Sequence, residues 1–218
     1  MTVPVAREGL PFILFCLAAT GLAALWALGG GWGMRSAAPV LFLALTLLVA
    51  YFFRDPERRS PRDPRLVVAP ADGKVMSVGP VEDEDFMGET ATRVTIFLNI
   101  FDVHVQRAPL GGRVDRYAYR PGTFAAAWRE EAGRENERAS LGIATGAGPL
   151  LVRQIAGLAA RRIATYPREG DTVARGDRIG LIRFGSRVEL LLPARWPVSV
   201  ERGDRVRGGE TPVAAVRG

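Results

Sequence analysis

The stretch Glu169-Gly170-Asp171-Thr172-Val173-Ala174-Arg175-Gly176-Asp177 has a second copy, in altered form, at Glu201-Arg202-Gly203-Asp204-Arg205-Val206-Arg207-Gly208-Gly209. Both copies have the form Gly-Asp-x-Val-x-x-Gly, in which a short β-prone segment lies between two turn signals. The first copy leads into the apolar run 178–182, and a second apolar run, 188–192, lies between the copies. A β element that occurs twice in this way indicates a β fold with two related halves.

Repeats of this form resemble those of lipoyl- and biotinyl-type domains, in which two pseudo-symmetric halves pack together. The sequence between the membrane-like N-terminus and the repeats is consistent with such a fold, because it consists of short β-branched or alternating runs separated by turns. The predicted strands are 66–69, 74–78, 93–98 and 113–119. Residues 149–163 fit either a helix or strands. We therefore predict a mostly β soluble domain over residues 66–218, of the lipoyl/biotinyl-like barrel-sandwich type.

The N-terminal quarter of the chain has a different character. Residues 10–29 contain no charge and are long enough, as a helix, to cross roughly 30 Å of hydrocarbon. Residues 37–53 form a second, shorter apolar run. We predict a two-helix membrane hairpin over residues 1–53, followed by a basic juxtamembrane linker over 54–65. The linker arginines predict that the soluble domain faces the cytoplasm at the inner cell membrane, by the positive-inside rule.

The composition excludes several kinds of site. The formal net charge is +6, and 28 of the 29 basic residues are arginines, which pair well with phosphate and carboxylate groups. Cys16 is the only cysteine and His104 the only histidine. An internal disulfide is therefore impossible, and a metal site built from several histidines and cysteines is excluded. We predict no metal ion.

Three positions could carry chemistry. His104 is the only imidazole available as a general base near neutral pH. Gly185-Ser186 is the only Gly-Ser dipeptide in the chain, and it lies between two apolar runs. A hydroxyl there could attack the unhindered carbonyl of the preceding glycine. Asp72, in the turn Pro70-Ala71-Asp72-Gly73, could orient the histidine and stabilise its cationic form. Each residue taken alone also has an ordinary structural interpretation.

Taken together, these motifs resemble the short form of phosphatidylserine decarboxylase, an enzyme that depends on a pyruvoyl group. The resemblance extends over nearly the whole chain. The matching pieces are Phe53-Arg54-Asp55-Pro56, Pro70-Ala71-Asp72-Gly73, Asp102-Val103-His104-Val105-Gln106-Arg107-Ala108-Pro109, Tyr119-Arg120-Pro121-Gly122, Asn136-Glu137-Arg138, residues 154–163 and Phe184-Gly185-Ser186-Arg187. Longer family members carry Leu-Gly-Ser-Thr at the last motif, whereas Phe184 and Arg187 flank it here.

The resemblance implies a self-cleaving precursor. Ser186 would attack Gly185 with His104 as base and Asp72 orienting it, which would leave chains 1–185 and 186–218. Ser186 would thereby become a covalent pyruvoyl cofactor that forms a Schiff base with the serine amine of the lipid. The implied reaction converts phosphatidylserine into phosphatidylethanolamine. The implied partners are phosphatidylserine and anionic membrane lipid, not nucleic acid, and a homo-oligomer is compatible with the sequence.

Three alternatives stay open at this level. The substrate could be another seryl phospholipid, since no residue distinguishes it. A non-enzymatic, membrane-tethered lipoyl- or biotinyl-like adaptor would need a modified lysine at a hairpin tip, and Lys74 is the only lysine in the chain. A serine hydrolase could use Asp72, His104 and Ser186, although the chain has no Gly-x-Ser-x-Gly elbow.

Overall fold

The computed structural model describes residues 4–28, 34–83, 86–123, 135–157, 163–183 and 186–217. The predicted cleavage-site residue Gly185 and its neighbour Phe184 lie outside these ranges. The chain divides into two compact units, Met1–Glu57 and Arg58–Gly218. The described part of the first unit is mainly helical, and that of the second is built from β-strands.

The first unit contains a 3₁₀ turn, Arg7–Gly9, and two helices, α1 (Leu10–Leu28) and α2 (Met34–Phe52). Both predicted helices are therefore present, and α2 begins three residues earlier than expected. Their surfaces are apolar, with Phe15 76% and Leu41 69% exposed. The continuous helical stretch Arg7–Leu28 is long and apolar enough to cross a membrane, whereas the apolar part of α2, Ala37–Phe52, is shorter.

Two contacts hold the helical unit together. The Oγ1 atoms of Thr20 in α1 and Thr46 in α2 lie 3.1 Å apart, which makes a polar link between otherwise apolar helices. At the other end, Phe53 is 1% exposed and its carbonyl accepts a hydrogen bond from the Ala6 N–H at 2.8 Å. A Cβ at Gly9 would lie 2.4 Å from the Phe53 side chain, so only glycine fits there.

The described residues of the second unit contain thirteen strands. They are β1 (Leu66–Val68), β2 (Gly73–Asp83), β3 (Glu89–Leu98), β4 (Val105–Arg107), β5 (Gly112–Arg120), β6 (Arg138–Thr145), β7 (Gly148–Ile155), β8 (Ile163–Thr165), β9 (Thr172–Val173), β10 (Arg178–Ile182), β11 (Ser186–Pro193), β12 (Arg205–Val206) and β13 (Pro212–Ala215). All predicted strands are present, so the mostly β prediction is confirmed.

The described part of segment 149–163, which fitted either a helix or strands, is extended. Residues of β7 alternate between the two sides of the sheet, because Leu150 and Val152 enter the main core whereas Leu151 packs in a separate cluster on the other side. A period of two is incompatible with a helix. Ile163, the last residue of that segment, is the first residue of β8.

Eight strands form one antiparallel sheet in the order β12-β2-β3-β11-β7-β6-β5-β9. Two smaller sheets have the orders β4-β10-β8 and β1-β13. The inner face of the large sheet carries the main core, which includes Val94, Ile96, Val188 and Leu190. Strand β11 is central, since it pairs with β3 along its whole length and with β7 over residues 187–191.

The two Gly-Asp-x-Val-x-x-Gly repeats form the opposite edges of the eight-stranded sheet, as β9 and β12. Each places its valine in the core, Val173 in the first copy and Val206 in the second. The flanking glycines all have positive φ, from 78° at Gly209 to 110° at Gly203. Side chains other than glycine rarely adopt such values, so the glycines fix the turns that start and end each edge strand.

Gly73, the first residue of β2, gives a test of this backbone geometry. Its φ is +149°, and a Cβ there would lie 2.2 Å from the carbonyl oxygen of Phe97. We expect Gly73→Ala to lower the free energy of unfolding by at least about 1–3 kcal/mol, the usual cost of such backbone strain alone. Resistance to proteolysis on heating measures this. Gly79→Ala on the same strand is the matched control, because its Cβ would meet nothing within 4 Å. Equal losses in the two variants would contradict the explanation.

Candidate active site

Ser186 is the first residue of the central strand β11 and is paired with Leu98, the last residue of β3. Side chains two residues apart on a strand lie on the same side of the sheet, and Val188 belongs to the main core. The Ser186 side chain therefore also faces the interior of the domain. The residue is completely buried, and its Oγ has no hydrogen-bond partner among the described residues. Burying a hydroxyl without a partner costs free energy, so such an atom calls for a functional explanation.

His104 is also completely buried and lies directly before β4. It follows a tight turn in which the Asn99 N–H donates to the Asp102 carboxylate at 2.8 Å. The Nδ1 atom of His104 lies 3.0 Å from the carbonyl oxygen of Asp102. A carbonyl can only accept, so Nδ1 carries the proton in this contact and Nε2 is the basic nitrogen.

The sheet topology brings His104 and Ser186 to the same end of the domain. The carbonyl of His104 accepts a hydrogen bond from the Ile182 N–H, at the end of β10, with a length of 3.3 Å. Ser186 follows Ile182 by four residues, and its partner Leu98 precedes His104 by six. Ser186 therefore begins a strand that pairs with β3, and His104 lies in the segment that follows β3.

A row of buried amides holds the histidine backbone. The Gln106 Nε2 donates to the carbonyl of His104 at 2.7 Å, and the Gln154 Nε2 donates to the Gln106 Oε1 at 2.8 Å. Thr165 donates in turn to the Gln154 Oε1 at 3.0 Å. Gly180 makes room for this row, because a Cβ there would lie 2.5 Å from the Gln154 Nε2. Satisfied buried networks of this kind restrict conformation, so the position of His104 is fixed.

Asp72 has different partners from those expected. One carboxylate oxygen lies 2.8 Å from the Arg58 guanidinium and the other accepts from the Gly208 N–H at 2.8 Å. Arg58 also contacts Glu210 at 3.0 Å and is only 9% exposed. Arg58, although it lies in the basic linker, therefore bridges two carboxylates inside the domain.

Burial and charge act in opposite directions on these carboxylates. Burial raises the pKa of Asp72 above its ordinary value of 3.8, and the nearby Asp102 adds to this, while Arg58 and the Gly208 N–H pull it back only in part. Burial also tends to raise the pKa of Glu210, but hydrogen bonds from Arg58 and Arg59 outweigh it and lower that pKa. Since Asp72 binds its proton more tightly in the fold, its contribution to stability decreases as the pH rises from 3.8 through its raised pKa.

Two of the three predicted residues thus lie at one end of the domain, and the third is bound to other groups. The contacts that sequence patterns did not indicate are Arg58 on Asp72, the backbone carbonyl of Asp102 on His104, and the amides of Gln106 and Gln154. The two glutamines do lie within motifs of the family resemblance. Lys74, which an adaptor would carry at a hairpin tip, lies within β2 and is paired with Phe97, so that alternative is wrong.

Comparison with known proteins shows which family the chain is similar to. The family model of phosphatidylserine decarboxylase matches residues 45–214. The chain is 49% identical over 212 residues to the phosphatidylserine decarboxylase proenzyme of Symbiobacterium thermophilum, with 96% of this chain and 94% of that protein covered. It is 43% identical over 210 residues to the corresponding proenzyme of Desulfotalea psychrophila, with 96% and 95% covered. This chain therefore belongs to the phosphatidylserine decarboxylase family.

Proposed function

We propose that this protein decarboxylates phosphatidylserine to phosphatidylethanolamine after cutting its own chain between Gly185 and Ser186. The observation that carries the proposal is the Ser186 hydroxyl, which is buried at the end of the domain that holds the only histidine and has no partner among the described residues. An unpartnered, buried hydroxyl fits a residue that is consumed, because its role is to react and not to stabilise the fold.

Self-cleavage begins when Ser186 Oγ attacks the carbonyl carbon of Gly185. The Nε2 atom of His104 takes the hydroxyl proton, and the same proton is then donated to the departing amide nitrogen, so the peptide becomes an ester. Loss of the α-proton of Ser186 breaks the Cβ–Oγ bond and leaves the Gly185 carboxylate and a dehydroalanine. Addition of one water then releases ammonia and leaves a keto group at the new N-terminus.

When formed, this pyruvoyl group supplies an electron-withdrawing carbonyl that accepts the electron pair left as carbon dioxide departs. Ser186, the residue that would become this group, stands at the first position of β11 and is paired with Leu98 of β3. His104 is the candidate for returning a proton to the α-carbon of the product, since it is the only imidazole in the chain. The buried amides of Gln106 and Gln154 hold the histidine backbone throughout.

We assign Asp72 the role of a charge partner for the protonated His104. Direct hydrogen bonding is not among its contacts, which go to Arg58 and Gly208. A buried carboxylate nevertheless acts at longer range, because the interior screens charge weakly. The charge of Asp102 already influences the pKa of Asp72, and the Asp102 carbonyl contacts His104. Asp72 is therefore within electrostatic range of the turn that carries the base.

Replacing Arg58 tests this role. Arg58→Gln removes the cation that opposes the effect of burial, so the pKa of Asp72 is expected to rise further. Asp72 would then ionise at a higher pH. In a plot of the self-cleavage rate against pH, the rise on the acidic side should therefore move to higher pH. Arg65→Gln is the control, since Arg65 is 75% exposed and pairs with Asp63 instead. An unchanged acid limb in Arg58→Gln would remove Asp72 from the mechanism.

We infer that α1 and α2 anchor the enzyme in the inner membrane with the β unit in the cytoplasm. The supports are the outward-facing apolar side chains of both helices and the arginines that follow α2. Substrate and enzyme then share one surface. In right-side-out vesicles, an added protease should leave the β unit intact, whereas in inverted vesicles it should cut it. Cutting in the right-side-out vesicles would reverse the orientation.

We further propose that the β unit is related to lipoyl/biotinyl-like barrel-sandwich domains. The two repeats support this, since each gives a two-residue edge strand with a buried valine between positive-φ glycines. In each copy the aspartate also caps the turn before it, Asp171 on the Arg168 N–H and Asp204 on the Glu201 N–H. An experimental structure in which a twofold rotation fails to superpose the two repeats would exclude the relationship.

An intact-mass spectrum of the purified protein tests the main proposal. We expect two species, residues 1–185 and residues 186–218, with the second carrying a keto group in place of its N-terminal amine. Decarboxylation of phosphatidylserine in mixed micelles should accompany the cut form. Active protein that consists of one unbroken chain would refute the proposal, and a second seryl phospholipid assayed in parallel defines the headgroup that is accepted.

A further inference from the structure

A line of side chains crosses the inner face of the large sheet at the level of Ser186. Ser186 on β11 is paired with Leu98 on β3. One residue beyond the last pairs of β11 with β7 and of β7 with β6, the same level reaches Ala156 and then Glu137. The Ala156 N–H donates to the Glu137 carbonyl at 2.9 Å, so the two segments stay adjacent there. Leu98 and Ala156 belong to the main core. Since level residues share a face, Glu137 lies on the same side of the sheet as Ser186.

Only a small residue separates Glu137 from Ser186 along this line. Neighbouring strands lie about 4.8 Å apart, so two spacings place the Cα atoms of the two residues about 10 Å apart. Ala156, the residue between them, carries a single methyl group and is completely buried. The glutamate side chain spans part of this distance, and an amine bound to it would span much of the rest. A small group held by the Glu137 carboxylate would therefore lie close to residue 186.

The smaller sheet links Glu137 to His104. The Ile163 N–H, at the start of β8, donates to the Glu137 Oε1 at 3.4 Å. Ile163 packs against the main core, so this contact also shows that the Glu137 carboxylate faces the interior. Ile163 is paired with Ile182 of β10, and the Ile182 N–H donates to the carbonyl of His104 at 3.3 Å. Ser186, His104 and Glu137 therefore lie at the same end of the domain.

The Glu137 carboxylate is buried, yet no cationic side chain contacts it in the described part of the chain. Glu137 is 5% exposed, and the partners of its carboxylate are the Tyr119 hydroxyl, which donates at 3.1 Å, and the Ile163 N–H. Glu189, a carboxylate buried to a similar degree, contacts three arginines. Taking a charge out of water is costly unless an opposite charge accompanies it. Glu137 is thus suited to bind a cation that a ligand supplies.

We propose that Glu137 binds the ammonium group of the serine headgroup and thereby selects lipids that carry an amine. The amine has to reach the keto group formed from Ser186. Because residue 186 is itself completely buried, the substrate has to enter the space that the inner side chains of this line border. An ammonium group brings both a positive charge and N–H donors to the carboxylate. A lipid without the amine leaves the buried carboxylate unpaired, which is the basis of the selection. This inference deepens the proposed function and rests on it.

A thermodynamic cycle between Glu137 and the lipid amine tests the proposal. The full-length cut enzyme is purified in detergent, and borohydride reduces its keto group to an alcohol that cannot react with an amine. Calorimetry then measures the binding of short-chain phosphatidylserine and of the same lipid with 3-hydroxypropionate in place of serine. We expect the wild-type enzyme to bind the serine lipid about 10–100-fold more tightly, and Glu137→Gln to lose this preference. Glutamine can still accept from Tyr119 and Ile163, so the variant changes the charge and keeps the acceptor.

Three further variants separate recognition from folding and from overall charge. Glu137→Asp keeps the charge on a shorter side chain, so its preference should lie between those of the wild-type enzyme and Glu137→Gln. Tyr119→Phe removes a hydrogen bond to Glu137 but not its charge, and it should retain the preference. Glu169→Gln removes an exposed carboxylate that accepts from the Tyr117 N–H at 2.6 Å, and it should also retain the preference. The fraction of cut chain, read by mass, shows whether each variant folds.

Three results would overturn this role of Glu137. Equal affinity of the wild-type enzyme for the two lipids would show that no group recognises the amine. A preference that persists in Glu137→Gln would assign the recognition to another residue. An equal loss of preference in Tyr119→Phe or Glu169→Gln would assign it to the fold or to overall charge. Failure of the proposed function has a different signature, because the chain would then be uncut and would have no keto group to reduce.

Discussion

Ser186→Ala is expected to leave the protein as a single uncut chain of 218 residues without decarboxylase activity. Alanine has no hydroxyl to attack Gly185, so the ester and the new N-terminus cannot form. The loss should be complete, because the residue is both the nucleophile and the source of the keto group. Intact-mass spectrometry and product formation in lipid micelles measure the two consequences separately. The fold should persist, since the removed Oγ has no hydrogen-bond partner among the described residues.

Thr95→Val is the matched control for this variant. Thr95 lies in β3 opposite Glu189 of β11, and its Oγ1 is another buried hydroxyl without a hydrogen-bond partner in the described part of the chain. It lies on the outer face of the sheet, whereas Ser186 faces the interior. We expect Thr95→Val to be cut and active. Cleavage of Ser186→Ala at the same bond would show that another group attacks, and loss of cleavage in both variants would point to a folding effect.

His104→Asn is expected to slow self-cleavage by about 10²–10⁴-fold, the usual contribution of a positioned general base. The asparagine amide can still donate to the Asp102 carbonyl, as Nδ1 does in the wild-type protein, but it has no basic nitrogen. The variant therefore separates the loss of the base from the loss of the local hydrogen bond. The measurement is the fraction of cut chain over time after synthesis, read by mass.

Asp102→Asn serves as the control for the histidine variant. It changes the neighbouring side chain but keeps the backbone carbonyl that contacts His104, and asparagine can still accept from the Asn99 N–H. Cleavage at close to the wild-type rate is expected. Efficient cleavage in His104→Asn would exclude the imidazole as the base. A similar defect in both variants would mean that the turn, not the imidazole, limits the reaction.

The periodic features of the fold could be predicted from the sequence. Alternation and β-branched residues marked the strands that contain Val94 and Val188, and the uncharged run from Leu10 marked α1. The Gly-Asp-x-Val-x-x-Gly repeats indicated turns around short strands, and their glycines do have positive φ. These features were predictable because each depends on residues close together in the chain. That the two repeats form opposite edges of one sheet depends on long-range pairing and was not visible.

The reactive residues of the site could be predicted from the sequence, but the groups that contact and position them could not. His104 and Ser186 stood out because each is unique in type or context within the chain. The position of the proton on the His104 ring is fixed by the backbone carbonyl of Asp102. A backbone contact of this kind cannot be predicted from the pattern of side chains in the sequence. Arg58 contacts Asp72 from fourteen residues earlier in the chain, and nothing distinguished it from the other linker arginines. Contacts between distant segments of this kind follow from the packed structure alone.

The central position of β11 determines what the protein becomes once it is cut. The shorter product would begin with the strand that lies between β3 and β7 and would also hold the edge strand β12. Cleavage would therefore break one peptide bond but leave the backbone hydrogen bonds of β11 with β3 and β7 in place. Separation of the two pieces would require the sheet itself to melt, and reassembly would then carry the entropic cost of joining independent molecules. Maturation would thus be irreversible, and the intact precursor would have to fold before it is cleaved.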